Sequence, residues 1–83
     1  MRMPIKMFAE AMERKLSARD KKFGERGWKE ESIMYLYARL REEMGELEKA
    51  LDESLTGEYS PEVIADECVD VGNFAMMIYD ILG

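Results

Sequence analysis

The chain has 83 residues, with 18 acidic and 12 basic side chains and a formal net charge of −6. A chain of that length predicts one domain, residues 1–83, whose small core needs well-packed helices, a bound metal or oligomerisation to be stable. The acidic balance argues against a general nucleic-acid binder, and the single cysteine excludes a framework of disulfides within the chain.

Composition also bears on where the protein works. No apolar run approaches membrane-spanning length and the N-terminus lacks the apolar core of a signal peptide, so we expect a cytoplasmic protein without a membrane partner. Abundant Glu, Lys and Arg, with no glutamine and a single asparagine, is typical of a thermophile. The charge is uneven, because residues 1–29 carry nine basic and four acidic side chains, whereas residues 30–83 carry three and fourteen.

Three helices and no strand are predicted, so the expected fold class is all-α. The first helix covers about 4–18, where apolar residues recur at helical spacing and a proline suits the first turn. A polar loop with two glycines follows at 20–27. The second helix covers about 28–55 and carries one apolar stripe, formed by Ile33, Leu36, Leu40, Met44, Leu47 and Leu51.

The third helix covers about 61–82. Ser60 is a suitable N-cap residue for it, and Pro61 suits its first position. Only about five residues separate the second and third helices, and so short a connection predicts an antiparallel hairpin.

Two pairs of acidic side chains fall on or beside the apolar stripes of the hairpin. On a helical wheel, Glu43 lies about 60° from the centre of the second helix's stripe, and Glu46 borders that stripe. On the third helix, Glu67 lies about 40° and Asp70 about 100° from the centre. Folding the hairpin brings the two pairs to nearly the same height, within about one helical turn.

Carboxylates that converge inside a helical bundle are costly unless they are paired with cations. Basic side chains are scarce in the hairpin, since Lys49 is the only lysine or arginine after Arg41. Oxygen ligands without histidine or cysteine favour Mg²⁺, with Mn²⁺ as an alternative. The absence of histidine argues against a ferritin-like di-iron bundle, which uses Glu-x-x-His pairs.

These acid pairs and the residues around them resemble the MazG-like all-α nucleoside triphosphate pyrophosphohydrolases, a superfamily that also includes the dimeric dUTPases. The resemblance covers about 20–82. The EExxE motif at 42–46 and the ExxD motif at 67–70 match the family's signature. Three segments are similar to a compact MazG-like subfamily: GW at 27–28, RLREEMGELEKAL at 39–51 and DECVDVGNFAMMI at 66–78.

The resemblance implies a Mg²⁺-dependent enzyme. Such an enzyme cleaves a (deoxy)nucleoside triphosphate between the α and β phosphates and releases the monophosphate and pyrophosphate. Four acidic side chains match the family's metal ligands: Glu43, Glu46, Glu67 and Asp70. Glu43 and Glu67 are the candidates for the catalytic carboxylates.

The resemblance also implies how substrate and partner chains are bound. Asn73 matches a position expected to contact sugar or phosphate, Trp28 matches an aromatic residue near the base, and Lys22 lies among basic substrate contacts. Members of the family assemble as dimers or dimers of dimers. Because this chain has only the minimal set of helices, we expect a homo-oligomer, a dimer or a tetramer, in which partner hairpins complete a four-helix-bundle-type core.

Other interpretations of the acid pairs remain open. The chain is alternatively a non-catalytic helical oligomerisation or regulatory module that keeps a metal or salt bridges for structure only. In that case Glu43 and Glu46 form a solvated face supported by Lys49 or Arg39, and Glu67 pairs with an arginine of the first helix.

The other candidate residues also have structural explanations. Asn73 is alternatively an exposed polar residue or a hydrogen-bonding group between helices, and Trp28 is alternatively a hydrophobic anchor at the start of the second helix. Contact with nucleic acid through the basic first third of the chain is the weakest of the alternatives, because the overall charge opposes it.

Overall fold

The computed structural model describes residues 1–24 and 27–83, and this part of the chain is helical, with no β-strand, as the sequence predicts. Among the helices of these two ranges, none has both the length and the hydropathy needed to cross a bilayer. The elements in chain order are helix α1 (Met3–Phe23), a 3-10 turn (Gly27–Glu30), helix α2 (Ile33–Leu55) and helix α3 (Pro61–Leu82).

Helix α1 extends beyond its predicted end. It was expected to stop near Ala18 before a polar loop at 20–27, but it continues to Phe23. The polar residues of this stretch are compatible with a helix, and two lysines in the last turn interact favourably with the helix dipole. The helix stops at Gly24, which has a φ of 85° and donates its backbone N–H to the Asp20 carbonyl at 2.9 Å. The rest of the predicted loop includes Glu25 and Arg26, which lie outside the described residues.

Helix α2 begins later than predicted. Its expected first residue, Trp28, belongs instead to a separate 3-10 turn, Gly27–Glu30. Ser32 then caps α2, because its hydroxyl oxygen accepts a hydrogen bond from the backbone N–H of Tyr35 at 3.1 Å. A capping side chain at this position fixes the start of the helix at Ile33, which the apolar spacing alone did not reveal.

The end of α2 and both ends of α3 agree with the sequence. Helix α2 ends at Leu55, as predicted. Helix α3 spans Pro61–Leu82 with Ser60 at the N-cap position, although the Ser60 side chain makes no capping hydrogen bond. Proline is well suited to the first turn of a helix, where its missing N–H leaves no hydrogen bond unmade.

Helices α2 and α3 form the predicted antiparallel hairpin. Ala50 and Val63 line one small cavity near the turn, and Leu36 and Met77 share one buried cluster at the other end. The two helices therefore run in opposite directions: the late residues of α2 lie beside the early residues of α3, and the early residues of α2 lie beside the late residues of α3. This arrangement places the middle of α2 opposite the first half of α3.

The buried core lies at the open end of the hairpin. Leu36 and Met77 are its most deeply buried side chains, with 1% and 2% of their surface exposed. Trp28 and Phe74 complete this cluster, so the 3-10 turn is held against both helices. Burying one side chain of this size stabilises the fold by about 1.5–3 kcal/mol. Partly buried residues of all three helices surround the cluster: Leu16, Leu40, Met76, Ile78 and Ile81.

Helix α1 packs on α3 at a glycine. A Cβ atom added to Gly72 would lie 2.7 Å from Cζ of Phe8, so the missing side chain allows the ring to rest directly on α3. One turn further along α1, the Asn73 side chain donates a hydrogen bond to the Met12 carbonyl at 3.4 Å. These contacts fix which face of α1 meets the acidic part of α3.

Candidate metal centre

Three of the four predicted metal ligands lie together. Glu43 of α2 and Glu67 and Asp70 of α3 each contribute a carboxylate oxygen, and the three oxygens lie within 4.8 Å of one another. Glu67 and Asp70 project from one side of α3 because residues three apart are neighbours on a helix surface. The antiparallel crossing brings Glu43 to the same height. All three side chains are half-buried. We refer to these three residues as the acid cluster.

The acid cluster concentrates unfavourable negative charge. Burial raises the pKa of Glu43, the charge of Asp70 raises it further, and Arg39 partly opposes these effects. Burial also raises the pKa of Glu67, followed by the charges of Asp70 and Glu46, while Lys15 acts in the opposite direction. The Oε2 atom of Glu67 is buried and has no hydrogen-bond partner. A cation at this position would remove the repulsion and satisfy that oxygen.

The donor set fits a hard divalent ion. All three side chains offer oxygen, which Mg²⁺ and Mn²⁺ prefer over nitrogen or sulfur. Two oxygens bound to one Mg²⁺ lie at most about 4.2 Å apart, because each is about 2.0–2.1 Å from the ion. The observed separations, within 4.8 Å, are wider than direct ligation of one ion allows, so the three carboxylates would have to draw closer to bind it together.

Glu46 lies close to the acid cluster but outside it. Its side chain is exposed, and it is not among the three residues whose carboxylate oxygens converge. It lines a small cavity with Glu67, and its charge contributes to the raised pKa values of Glu43 and Glu67. Its role as a fourth ligand therefore stays a prediction.

A lysine of α1 also meets the acids, and sequence reasoning missed it. Nζ of Lys15 lies 2.6 Å from Oδ1 of Asp70 and 2.9 Å from Oδ1 of Asp66. Burial alone would lower the pKa of Lys15, but hydrogen bonds to Asp70 and Asp66 outweigh it and raise the pKa, so the ammonium group stays charged at neutral pH. The sequence offers one signal for this contact: Lys15 follows Met12 by three residues, on the side of α1 that faces α3.

Arg39 supports the acid cluster from α2. Its Nη2 lies 3.4 Å from Oε1 of Glu43, and its Nη1 pairs with the exposed Glu42. The guanidinium group also lies over the Phe74 ring, 5.1 Å from the ring centroid. The i,i+4 ion pair between Arg39 and Glu43, one of the alternatives that the sequence suggests, is thus present. It occurs together with the convergence of the three carboxylates.

A cavity of about 330 Å³ opens beside the acid cluster, between α1 and the hairpin. Asn73 lines this cavity and is only 5% exposed. Its Nδ2 donates a hydrogen bond to the Met12 carbonyl, so Asn73 forms the bond between helices that is one of the sequence-based alternatives. Its Oδ1 is buried and has no hydrogen-bond partner. Contact between Asn73 and a substrate stays a prediction. The charged side chains of the lining are Lys15, Arg19, Arg39, Glu43 and Asp70.

The other two predicted substrate contacts lie elsewhere. Trp28 is 6% exposed and belongs to the core, and its Nε1 donates to Oδ2 of Asp80 at 3.1 Å. Its burial agrees with the interpretation of Trp28 as a hydrophobic anchor, so contact with a base stays a prediction. Lys22 is exposed in the last turn of α1 and does not line the cavity. Its contact with substrate also stays a prediction.

Comparison with protein-family models, with curated proteins and with solved structures finds no match to this chain. A function for this chain is therefore inferred from its own residues and from the motif resemblance that they carry.

Replacing Glu67 with glutamine should stabilise the metal-free protein. The change removes one repelling charge and supplies an N–H₂ group that can donate to Asp70. We expect Glu67→Gln to raise stability at pH 7 in EDTA by about 1 kcal/mol, or the melting temperature by about 4–8 °C. Because the folded-state pKa of Glu67 is raised, wild-type stability should increase as pH falls from neutral through that pKa, and the advantage of the variant should shrink.

Thermal unfolding followed by circular dichroism at pH 7 and pH 5, at one protein concentration, measures both effects. Glu10→Gln is the matched control, because Glu10 is an exposed acid of α1 outside the acid cluster. Its effect should stay within about 0.5 kcal/mol. A Glu67→Gln variant no more stable than wild type at pH 7 would show that the acid cluster is not under charge strain.

Proposed function

We propose that this chain is a Mg²⁺-dependent nucleotide pyrophosphohydrolase, with Mn²⁺ as an alternative ion. It would convert a (deoxy)nucleoside triphosphate into the monophosphate and pyrophosphate. The observation that carries the proposal is the convergence of Glu43, Glu67 and Asp70 from two facing helices. The EExxE and ExxD motifs, which resemble those of the MazG-like enzymes, contain the same three residues.

The proposed reaction is hydrolysis of the anhydride between the α and β phosphates. A divalent ion held by the acid cluster would neutralise charge at the phosphate oxygens and would lower the pKa of the attacking water. Water adds to phosphorus, its proton passes to a carboxylate, and the anhydride bond breaks so that pyrophosphate leaves. Glu67 and Glu43 are the candidates for the base, because a carboxylate has two oxygens and could hold the ion through one while the other accepts the proton.

The cavity beside the acid cluster supports an anionic ligand. Lys15, Arg19 and Arg39 contribute basic side chains to its lining, next to the carboxylates that would hold the ion. A triphosphate bound with a divalent ion needs carboxylates to hold the ion and basic side chains to contact phosphate oxygens, because the metal and the basic groups share those oxygens. Asn73 adds an amide to the same lining.

A second candidate function has its own support. Lys15 pairs with Asp70, and Arg39 lies near Glu43, so two of the three acids have partners within the chain. These ion pairs fit a non-catalytic oligomerisation or regulatory module in which the acids serve structure. That module would gain stability from Mg²⁺, or from salt bridges alone, without hydrolysing any nucleotide.

We also propose that the protein is a homo-oligomer, a dimer or a tetramer. The hairpin exposes large apolar side chains that a chain of this size cannot cover itself, including Met44 and Leu51, which are 52% and 46% exposed. Both line a groove that also includes the apolar Leu47 and Val71 and two acids, Glu48 and Asp52. A second hairpin laid against this groove would produce a four-helix-bundle-type core.

Pyrophosphate release tests the proposed activity. A panel of ribo- and deoxyribonucleoside triphosphates is incubated with Mg²⁺ or Mn²⁺, and pyrophosphate is measured. Glu67→Ala and Asp70→Asn should each lower turnover by more than about 100-fold, beyond the 10- to 100-fold loss typical of residues that only support a ligand. Glu10→Gln changes an exposed acid of α1 that lies outside both the acid cluster and the groove, and it should retain turnover within about twofold.

Folded wild-type protein that turns over no triphosphate at saturating metal would contradict the proposed activity. Calorimetric melting with and without Mg²⁺ then separates the two candidates. Metal-dependent stability without hydrolysis would favour the non-catalytic module.

The proposed oligomer is tested by light scattering after size-exclusion chromatography. Leu51→Asp adds a negative charge to the groove beside Glu48 and Asp52 and should shift the protein toward monomer, because a buried unpaired charge costs several kcal/mol. Leu51→Met keeps the apolar surface and should leave the mass unchanged. A monomeric mass for the wild type at micromolar concentration would refute the oligomer.

A further inference from the structure

We propose that Lys15 is a built-in counter-ion of the acid cluster, held by Asp70 when no divalent ion is bound and transferred to Asp66 alone when one binds. This inference rests on the proposed metal site and adds a regulatory element to it. In this view α1 carries a cation that competes with the metal.

The first support is the position of the ammonium group. Nζ of Lys15 lies 2.6 Å from Oδ1 of Asp70, a member of the acid cluster. A divalent ion bound to the same carboxylate would lie within a few ångströms of the ammonium group, where like charges repel strongly. The ion and Lys15 therefore compete for Asp70.

A second observation is that Lys15 also contacts Asp66, which can keep the ion pair when Asp70 binds a metal. Nζ also lies 2.9 Å from Oδ1 of Asp66 and 3.3 Å from its carbonyl oxygen. Asp66 lies one turn before Asp70 on α3 but is not part of the acid cluster. Its side chain is 60% exposed, against 28% for Asp70, so an ion pair with Asp66 is better hydrated. Lys15 can release Asp70 without breaking its attachment to α3.

The third support is that Lys15 neutralises the acid cluster only in part. Oε2 of Glu67 is buried and has no hydrogen-bond partner while Lys15 is in place. Asn73, which lines the cavity that Lys15 and Asp70 also line, is 5% exposed and has a buried Oδ1 that also lacks a hydrogen-bond partner. Lys15 therefore leaves one buried oxygen of the acid cluster, Oε2 of Glu67, without a hydrogen-bond partner. A divalent ion bound by the acid cluster would satisfy that oxygen.

The expected consequence is a lower affinity for the metal than the carboxylates alone would give. Lys15 partly neutralises the acid cluster when no ion is bound. A divalent ion binds only when it displaces the Lys15 ammonium group from Asp70. Removing Lys15 should therefore tighten metal binding, and removing Asp66 should weaken it, because Lys15 would then have only Asp70 as a partner.

Binding of Mn²⁺ alone, measured by the electron paramagnetic resonance signal of the free ion, tests this inference without reference to activity. Lys15→Met should lower the dissociation constant about fivefold, which corresponds to about 1 kcal/mol. Asp66→Asn should raise it, and Asp66→Asn in the Lys15→Met background should have a smaller effect, because the competing ammonium group is gone. Lys6→Met is the control, since it removes one exposed charge of α1 elsewhere and should change affinity by less than about twofold.

A second measurement uses the wild-type chain and does not depend on how the variants fold. In a nuclear magnetic resonance titration with Mg²⁺, the side-chain signals of Lys15 should shift as it leaves Asp70, and those of Lys6 should not.

The outcomes are distinguishable. Tighter Mn²⁺ binding by Lys15→Met supports the counter-ion role. Equal or weaker binding by Lys15→Met, with wild type binding the ion, overturns that role and leaves the metal site intact. No binding of Mn²⁺ by wild type or by Lys15→Met overturns both the counter-ion role and the proposed metal-dependent function.

Discussion

Repulsion among half-buried carboxylates at the crossing of α2 and α3 is the constraint on which the rest of this structure depends. Glu43, Glu67 and Asp70 are held within 4.8 Å of one another. They would separate if the hairpin could splay, but Leu36 and Met77 are almost completely buried at its open end. Each of these two side chains stabilises the fold by about 1.5–3 kcal/mol. Apolar packing therefore holds together acids that electrostatics would drive apart.

The remaining charges can be understood as responses to that repulsion. Lys15 reaches Asp70 from α1, and Arg39 approaches Glu43 from one turn earlier in α2. Neither contacts Oε2 of Glu67, which is buried without a hydrogen-bond partner. A structural module and a metal-dependent hydrolase could share this arrangement, and they differ in whether a divalent ion completes it. The proposed function and the proposed role of Lys15 therefore depend on one binding event.

The sequence predicted those parts of the fold that local chemistry determines. Pro61 and the short connection before it fixed the start of α3, and the apolar spacing of α2 placed Glu43 on the inner side of the hairpin. The predicted helix boundaries were wrong where a single residue ends or starts a helix. Gly24 ends α1 after a polar segment that is helical, and Ser32 caps α2, which therefore begins later than predicted.

The candidate site was predictable only within the hairpin. Spacing along two connected antiparallel helices determines their relative height, so the convergence of Glu43 with Glu67 and Asp70 followed from counting residues. The docking of α1 is set by tertiary contacts such as Phe8 against Gly72, and the apolar spacing of α1 predicts its packed face but not which residues of α3 that face meets. For that reason the sequence does not predict the pairing of Lys15 with Asp70. The salt bridge that it suggests instead joins Glu67 to an arginine of the first helix.

We propose above all that the acid cluster is a divalent-cation site. A crystal structure of the wild-type protein grown with Mn²⁺, examined in an anomalous difference map, tests it most directly. We expect a manganese peak ligated by carboxylate oxygens of Glu43, Glu67 and Asp70, with Nζ of Lys15 withdrawn from Asp70 toward Asp66. A map without a peak at the acid cluster, in which Lys15 still contacts Asp70 at saturating Mn²⁺, would contradict the account.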